Sequence, residues 1–197
     1  RWHSNGGTYG TNKDGWGATR IRAMLNGADK LTDKNANKYS RYASDDVNKS
    51  ASIYTEENCL FATFPQELQN AIGKRQVKYD SVHDNKTEAN RKITNDKLWL
   101  FSPNELADTI GHSSYDHPLE GSAYDKFKGT GDGCNSNTVR RLFHVDSSNG
   151  DSIGAILNAW LRSSRDNWNR NYVLALHGAG NVYDKYPFLS AGVSVGF

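Results

Sequence analysis

The chain has 197 residues, of which 36% are hydrophobic and 11% aromatic. Disordered chains lack such aromatic content, so the composition predicts one compact domain with a hydrophobic core. The 24 basic and 22 acidic residues are interspersed and give a net charge of +2. No basic run is long enough to follow a phosphate backbone, and no apolar run approaches the ~20 residues of a membrane span. We therefore expect neither nucleic-acid binding nor membrane insertion.

Two amphipathic helices are predicted in the first half of the chain. The first lies within residues 16–27, ends at Asn26-Gly27, and has an apolar stripe of Ile21, Met24 and Leu25. The second should cover residues 61–72, with Pro65 in its first turn. Its expected stripe consists of Phe64, Leu68, Ala71 and Ile72.

The remaining elements are short strands and one short helix. Apolar or alternating runs predict strands at residues 76–79, 97–101, 160–163, 172–176 and 193–197, and residues 153–160 lead into the third of these strands. Ser102-Pro103-Asn104-Glu105 has the composition of a capping box, so a helix should run from there to about residue 110. Residues 111–137 should be mostly irregular, and residues 138–145 a strand or short helix. The pattern favours one α+β domain over residues 1–197, with both predicted helices packed against a single sheet.

Several landmarks occur in an order that resembles a bacterial family of unknown function. They are Trp16, Arg22, Leu25, Asn26, Phe64, Glu67, Asp96, Leu98, Leu100, Ser102, Glu105, the run Trp160-Leu161-Arg162-Ser163, Gly192, Val193 and Phe197. The chain departs from that family at Ser164, where a proline is usual, and at Ser194-Val195, where Arg-Pro is usual. The family's leading strand is not evident before Trp16, so the chain either begins inside the domain or starts differently.

The resemblance implies a C-type lectin-like fold, in which irregular loops surround a small antiparallel sheet and two main helices. Formylglycine-generating, sulfatase-modifying enzymes and the variable proteins of diversity-generating retroelements share that fold. The enzymes use cysteines near the chain end, where neither Cys59 nor Cys134 lies. These two cysteines are either separate thiols or one disulfide that closes a long loop.

No arrangement in the sequence predicts catalysis, a metal or a cofactor. His112 and His117 have flexible surroundings and do not share a helix face. Residues 146–152 resemble a calcium loop but lack the bidentate glutamate, so a polar turn is predicted there. We expect no catalytic residues, no metal ligands and no cofactor.

The candidate ligand-binding residues lie in the polar stretch 165–186. They are Arg165, Asp166, Asn167, Asn169, Arg170, Asn171, Tyr172, His177, Asn181, Tyr183, Asp184 and Tyr186. Such residues dominate recognition surfaces because they combine contact area with adaptable hydrogen bonding. The alternative is a solvated loop. The sequence further predicts that Arg165, Asn167, Asn169, Asn171, Tyr183 and Tyr186 are exposed on one face.

The resemblance implies a more specific hypothesis for this stretch. Retroelements diversify adenine-containing codons, and a randomised asparagine codon can encode Asn, Tyr, Ser, Asp, His, Gly or Arg, which are frequent here. The sequence thus favours a non-enzymatic recognition domain, secreted or at the cell surface, whose partner is a protein or another cell-surface molecule. An enzyme of the sulfatase-modifying type and a purely structural module remain as alternatives. In each case Trp160 should lie in the core, and Arg162 should be a structural ion-pair partner.

Overall fold

The computed structural model describes residues 15–27, 54–80, 91–128, 158–165, 172–177, 181–185 and 191–197. Within these ranges the helices are α1 (Arg20–Asn26), α2 (Gln66–Ala71) and α3 (Pro103–Leu106). The strands are β1 (Arg75–Asp80), β2 (Arg91–Asp96), β3 (Trp99–Leu100), β4 (Asn158–Ser164), β5 (Val173–His177), β6 (Val182–Lys185) and β7 (Val195–Gly196). Short helices mixed with small antiparallel sheets make this an α+β fold. The predictions for residues before 15 and for residues 138–152 lie outside the described residues.

The described strands form three small sheets, so the expectation of one sheet is wrong for this part of the chain. β1 pairs with β2, β3 with β7, and β5 lies between β4 and β6, all antiparallel. Backbone contacts beside the strands connect the β4–β5–β6 sheet with the β3–β7 sheet. Gly192 forms a parallel bridge with Ala159, and the Arg162 backbone N–H donates to the Phe101 carbonyl at 2.9 Å. The segments expected to be central therefore meet, but through isolated bonds.

The sequence analysis did not predict two of the strands, β2 and β6. β2 is polar, and Asp96 is its one buried residue. All four residues of β6 are only partly buried. Pairing with the strand beside them fixes both conformations, and β6 has only Val182 and Tyr183 packed against the hydrophobic clusters. Hydrophobic patterning could therefore not indicate them.

Helix α1 forms as predicted. The Thr19 side chain caps its first turn by accepting a hydrogen bond from the Arg22 N–H at 3.1 Å. Ile21 and Leu25 are buried in the core. Gly27 ends the helix with a φ of 77°, where a side chain would also meet the backbone N of Glu56. Local capping and periodicity therefore agree with the tertiary structure.

The second predicted helix is wrong in extent and in its buried face. Residues Phe61–Thr63 form a 3₁₀ turn, Phe64 is extended with a ψ of 152°, and α2 starts after Pro65. Proline disfavours the helical conformation in the residue before it, so the helix cannot run through Phe64. This break changes the register, which leaves Leu68 37% exposed. Ala71 is exposed as well, whereas Phe61 and Ile72 outside α2 are buried.

Two hydrophobic clusters lie on opposite faces of the β4–β5–β6 sheet. One face contributes Trp160, Val173 and Ala175 to a cluster that also contains Trp16, Leu25 and Trp99. The other face contributes Ala159, Leu161, Leu174 and Leu176 to a cluster with Phe101, Leu106 and Phe127. Strand alternation explains this division, because successive side chains point to opposite faces. β4 and β5 are thus buried on both sides, as their nearly continuous apolar sequences indicate.

Side chains of α1 tie the helix to the strand region by polar contacts. Asn26 accepts hydrogen bonds from the Lys97 and Leu98 N–H groups at 3.0 and 2.9 Å, and donates to the Leu98 carbonyl at 2.7 Å. Arg22 places Nε and Nη2 each 2.8 Å from Asp96 Oδ1. Trp16 Nε1 donates to Oδ2 of the same buried carboxylate at 2.8 Å. These contacts show that four of the landmark residues, Trp16, Arg22, Asn26 and Asp96, hold helix α1 against the strands. We call these four residues, together with Glu105 and residues 160–163, the frame.

Candidate functional site

A buried ion pair connects β4 with α3. Glu105 caps α3 by accepting the Ser102 N–H at 3.1 Å, and its carboxylate also binds Arg162. The guanidinium of Arg162 further donates to the carbonyls of Lys78, Leu100 and Glu120 at 2.9, 2.8 and 2.7 Å. Arg162 is 1% exposed. The prediction of a structural ion-pair partner is therefore confirmed.

The charge of Arg162 is maintained by its neighbours. Burial lowers the pKa of Arg162, but the carboxylates of Glu105 and Glu120 raise it, and the net shift is upward. Ser163 donates a hydrogen bond to Glu120, and His117 Nδ1 lies 3.9 Å from Glu120 Oε1. Although serine, histidine and glutamate meet here, all three are buried. The Glu120 carboxylate lies between the other two side chains and links them.

The candidate binding residues are only partly within the described ranges. Arg165, Tyr172, Asn181, Tyr183 and Asp184 are described. His177 lies in β5, but its side chain is outside the description. The remaining candidates, which lie outside the described residues, are Asp166, Asn167, Asn169, Arg170, Asn171 and Tyr186. The stretch is not a continuous loop, because β5 and β6 run through it.

Three of these residues come together at the end of the β4–β5–β6 sheet. Arg165 Nη1 lies 2.8 Å from Asp184 Oδ2, with side-chain exposures of 30% and 20%. The Arg165 guanidinium carbon lies 5.8 Å from the Tyr172 ring centre. The Arg165 N–H also donates to the Tyr172 carbonyl at 3.1 Å. The Arg165–Asp184 ion pair and the Tyr172 ring therefore lie together on a partly exposed part of the surface.

A fourth residue, Tyr115, contacts this cluster, and the sequence analysis did not predict it. Its hydroxyl donates to Asp184 Oδ1 at 2.9 Å, and its ring centre is 6.0 Å from the Arg165 guanidinium carbon. His112 stacks on Tyr115 with ring centres 4.5 Å apart. Burial and the hydrogen bond to Asp184 raise the pKa of Tyr115, which keeps the hydroxyl protonated as a donor. No local pattern marks this residue, because its partner is 69 positions away. We call the group Tyr115, Arg165, Tyr172 and Asp184 the Arg165 surface.

Tyr183 does not belong to the Arg165 surface, which corrects the expectation that it shares a face with Arg165. It packs against the cluster that contains Trp160, while the neighbouring Val182 packs against the opposite cluster. Burial, and then the charge of Asp184, raise the pKa of Tyr183 to about 12. Tyr183 and Asp184 are adjacent in β6 and so point to opposite faces. Tyr183 therefore serves the core in part.

Within the described ranges, no group of three or more His, Cys, Asp or Glu side chains is placed to hold a metal ion. The helices of those ranges include none with the length and apolar character needed to cross a membrane. Cys59 is a buried free thiol whose Sγ contacts the Glu56 carbonyl at 3.6 Å, while Cys134 lies outside the description.

The fold and its polar contacts define an α+β domain in which several landmark residues build the frame, while others such as Glu67 and Phe197 are exposed. A separate polar-aromatic surface lies at one sheet end. A family model, described as a domain of unknown function (DUF6273), matches residues 4–195. The chain therefore belongs to that family. No curated protein and no solved structure matches it.

Proposed function

We propose that the chain is a non-enzymatic recognition domain of the C-type lectin-like kind that binds a protein or another cell-surface molecule. The Arg165 surface is the centre of its binding site. The observation that carries the proposal is the contact of Arg165 with Asp184 and with two tyrosine rings from different parts of the chain. Arginine and tyrosine are enriched among the few residues that dominate binding energies.

Preorganisation supports this choice of surface. Ordering a long side chain on binding costs about 0.5–1.5 kcal/mol, and a side chain already held in place avoids much of that cost. Asp184 binds both the Arg165 guanidinium and the Tyr115 hydroxyl, so it fixes two contact groups at once. The partial exposure of Arg165 leaves part of the group open to a partner.

The separation of frame and surface supports the more specific proposal of a retroelement-diversified variable protein. Trp160, Leu161, Arg162 and Ser163 are buried, and only Ser164 separates them from the stretch that contains the candidate binding residues. Arg165, Tyr172 and Asp184 are residue types that a randomised asparagine codon can encode. Substitution at the surface could therefore proceed without loss of the frame.

Binding arrays test the general proposal. The purified full chain is applied to arrays of cell-surface proteins and of glycans, beside Tyr115→Ala, Arg165→Ala, Tyr172→Ala and the exposed control Lys92→Ala on β2. We expect selective binding that falls at least about fivefold in one or more of the three surface variants, since a binding residue of this kind contributes over 1 kcal/mol. The control should bind like the parent. Binding that is equal in all variants, or no selective binding at all, contradicts the proposal.

Sequencing tests the variable-protein version. The coding region is read from many cells of the source population. We expect substitutions to be concentrated at asparagine-type codons between positions 165 and 186, with codons 158–163 unchanged. A substitution rate that is uniform along the gene contradicts diversification, whatever the arrays give.

A further inference from the structure

A second polar site lies away from the Arg165 surface, between β1 and the segment that follows α3. It is a pocket of about 380 Å³, at the lower end of the ~300–1,000 Å³ typical of small-molecule sites. Its lining includes Arg75 and Gln76 of β1 together with Ser122, Tyr124 and Asp125. The size suits a ligand with the dimensions of a sugar acid or an amino acid.

Arg75 is held in this pocket by two aromatic rings. Its guanidinium carbon lies 5.0 Å from the Trp99 ring centre and 4.9 Å from the Tyr124 ring centre. Both rings are themselves fixed. Trp99 belongs to β3 and packs against Gly196, where a Cβ would come within 2.7 Å of the indole. The Tyr124 hydroxyl donates to Glu105 Oε1 at 3.2 Å.

The donors of Arg75 remain available. Its closest carboxylate oxygen is Glu105 Oε1 at 3.9 Å, and within the described ranges its guanidinium donates no hydrogen bond. The side chain is 45% exposed. Stacking therefore restricts the guanidinium while its N–H groups stay open to the pocket.

The acidic groups of the lining are already engaged with protein partners. Glu105 binds Arg162, Glu120 accepts from Ser163, and Asp125 Oδ1 lies 2.6 Å from Lys128 Nζ. These contacts reduce the repulsion that an incoming anion would meet. Lys78 is a second exposed cation of the lining, and Lys128 is paired with Asp125. Arg75 combines unused donors with fixed aromatic walls.

We propose that this pocket binds a small carboxylate-bearing polar molecule. The guanidinium fork of Arg75 receives the carboxylate in the bidentate geometry that planar carboxylates and arginine share. Gln76 and Ser122, both exposed, supply partners for the hydroxyl or amino groups of the ligand. The site is independent of the proposed recognition surface.

Paired probes test this site by titration calorimetry on the full chain. The probes are two sugar acids, each with a neutral counterpart that lacks the carboxylate: galacturonate with galactose, and glucuronate with glucose. We expect at least one acid to bind at least tenfold more tightly than its neutral counterpart. Equal affinity within both pairs, or a similar affinity for inorganic phosphate, overturns the assignment to a carboxylate.

Variants locate the binding. Arg75→Ala should weaken the acid at least tenfold, and Arg75→Lys, which keeps the charge but not the fork, should also weaken it. Lys74→Ala is the matched control, because it removes the same charge from an exposed neighbour that does not line the pocket.

Thermal melts confirm that each variant is folded, and amide chemical-shift changes in the parent provide a second measurement should Arg75→Ala not fold. An unchanged affinity in Arg75→Ala, or shifts that avoid residues 75–78 and 120–125, overturns the proposal. Arg165→Ala should leave acid binding unchanged, which separates this result from the test of the recognition surface.

Discussion

Replacing Trp160 by alanine should lower the free energy of unfolding by about 3–5 kcal/mol, the usual cost of removing a buried aromatic side chain. Trp160 is fully buried in β4 and packs in the cluster that contains Trp16 and Trp99. The loss combines the transfer of the indole to water with the cavity left behind. Denaturant titration of the parent and the variant measures it.

Leu68→Ala is the matched control for Trp160→Ala. Leu68 is also a large apolar residue, and its periodicity in the sequence places it in the core, but it is 37% exposed in α2. We expect its replacement to cost less than about 1 kcal/mol. If both variants unfold at the denaturant midpoint of the parent, Trp160 is not part of the core.

Replacing Arg162 by methionine should destabilise the domain by about 3–5 kcal/mol, because removing one member of a buried ion pair leaves the other charge uncompensated. Here the remaining group is Glu105, which is 4% exposed. Three backbone carbonyls that accept from Arg162 also lose their donor. The measurement is again denaturant unfolding.

Two further variants decide whether burial is the reason for the effect of Arg162→Met. Arg165→Met removes the partly exposed partner of Asp184, and an ion pair of that kind contributes about 0–1 kcal/mol. In a double-mutant cycle, Arg162→Met with Glu105→Gln should cost less than the sum of the single changes, by about 0.5–3 kcal/mol. Additive effects, or an equal loss in Arg165→Met, would contradict the assigned role of the buried pair.

The sequence predicts the frame of this domain well because the frame depends on local signals. Helix α1 follows from apolar spacing and its Asn-Gly end, and both agree with the structure. The Glu105 side of the capping box forms at Ser102, although α3 ends at Leu106 instead of near residue 110. The core position of Trp160 and the ion pair of Arg162 follow from a charged residue beside a continuous apolar run.

The errors have two causes: a local effect that apolar spacing does not register, and strand pairing between separate segments. Phe64 turns extended because Pro65 follows it, so the apolar stripe of the second helix loses its register. β6 is a strand because β5 lies beside it, and the sequence has no burial signal there.

The candidate site shows the same division. The sequence by itself determined a polar-aromatic stretch and placed Arg165, Tyr172 and Asp184 in it. The tertiary structure alone decided that these three meet, that Tyr115 joins them from a distant segment, and that Tyr183 turns to the core. Likewise, no sequence pattern marks Arg75, because the rings that hold it come from residues 99 and 124. Residue type and local spacing are written in the sequence, whereas the face that a side chain occupies depends on strand pairing and on packing between distant segments.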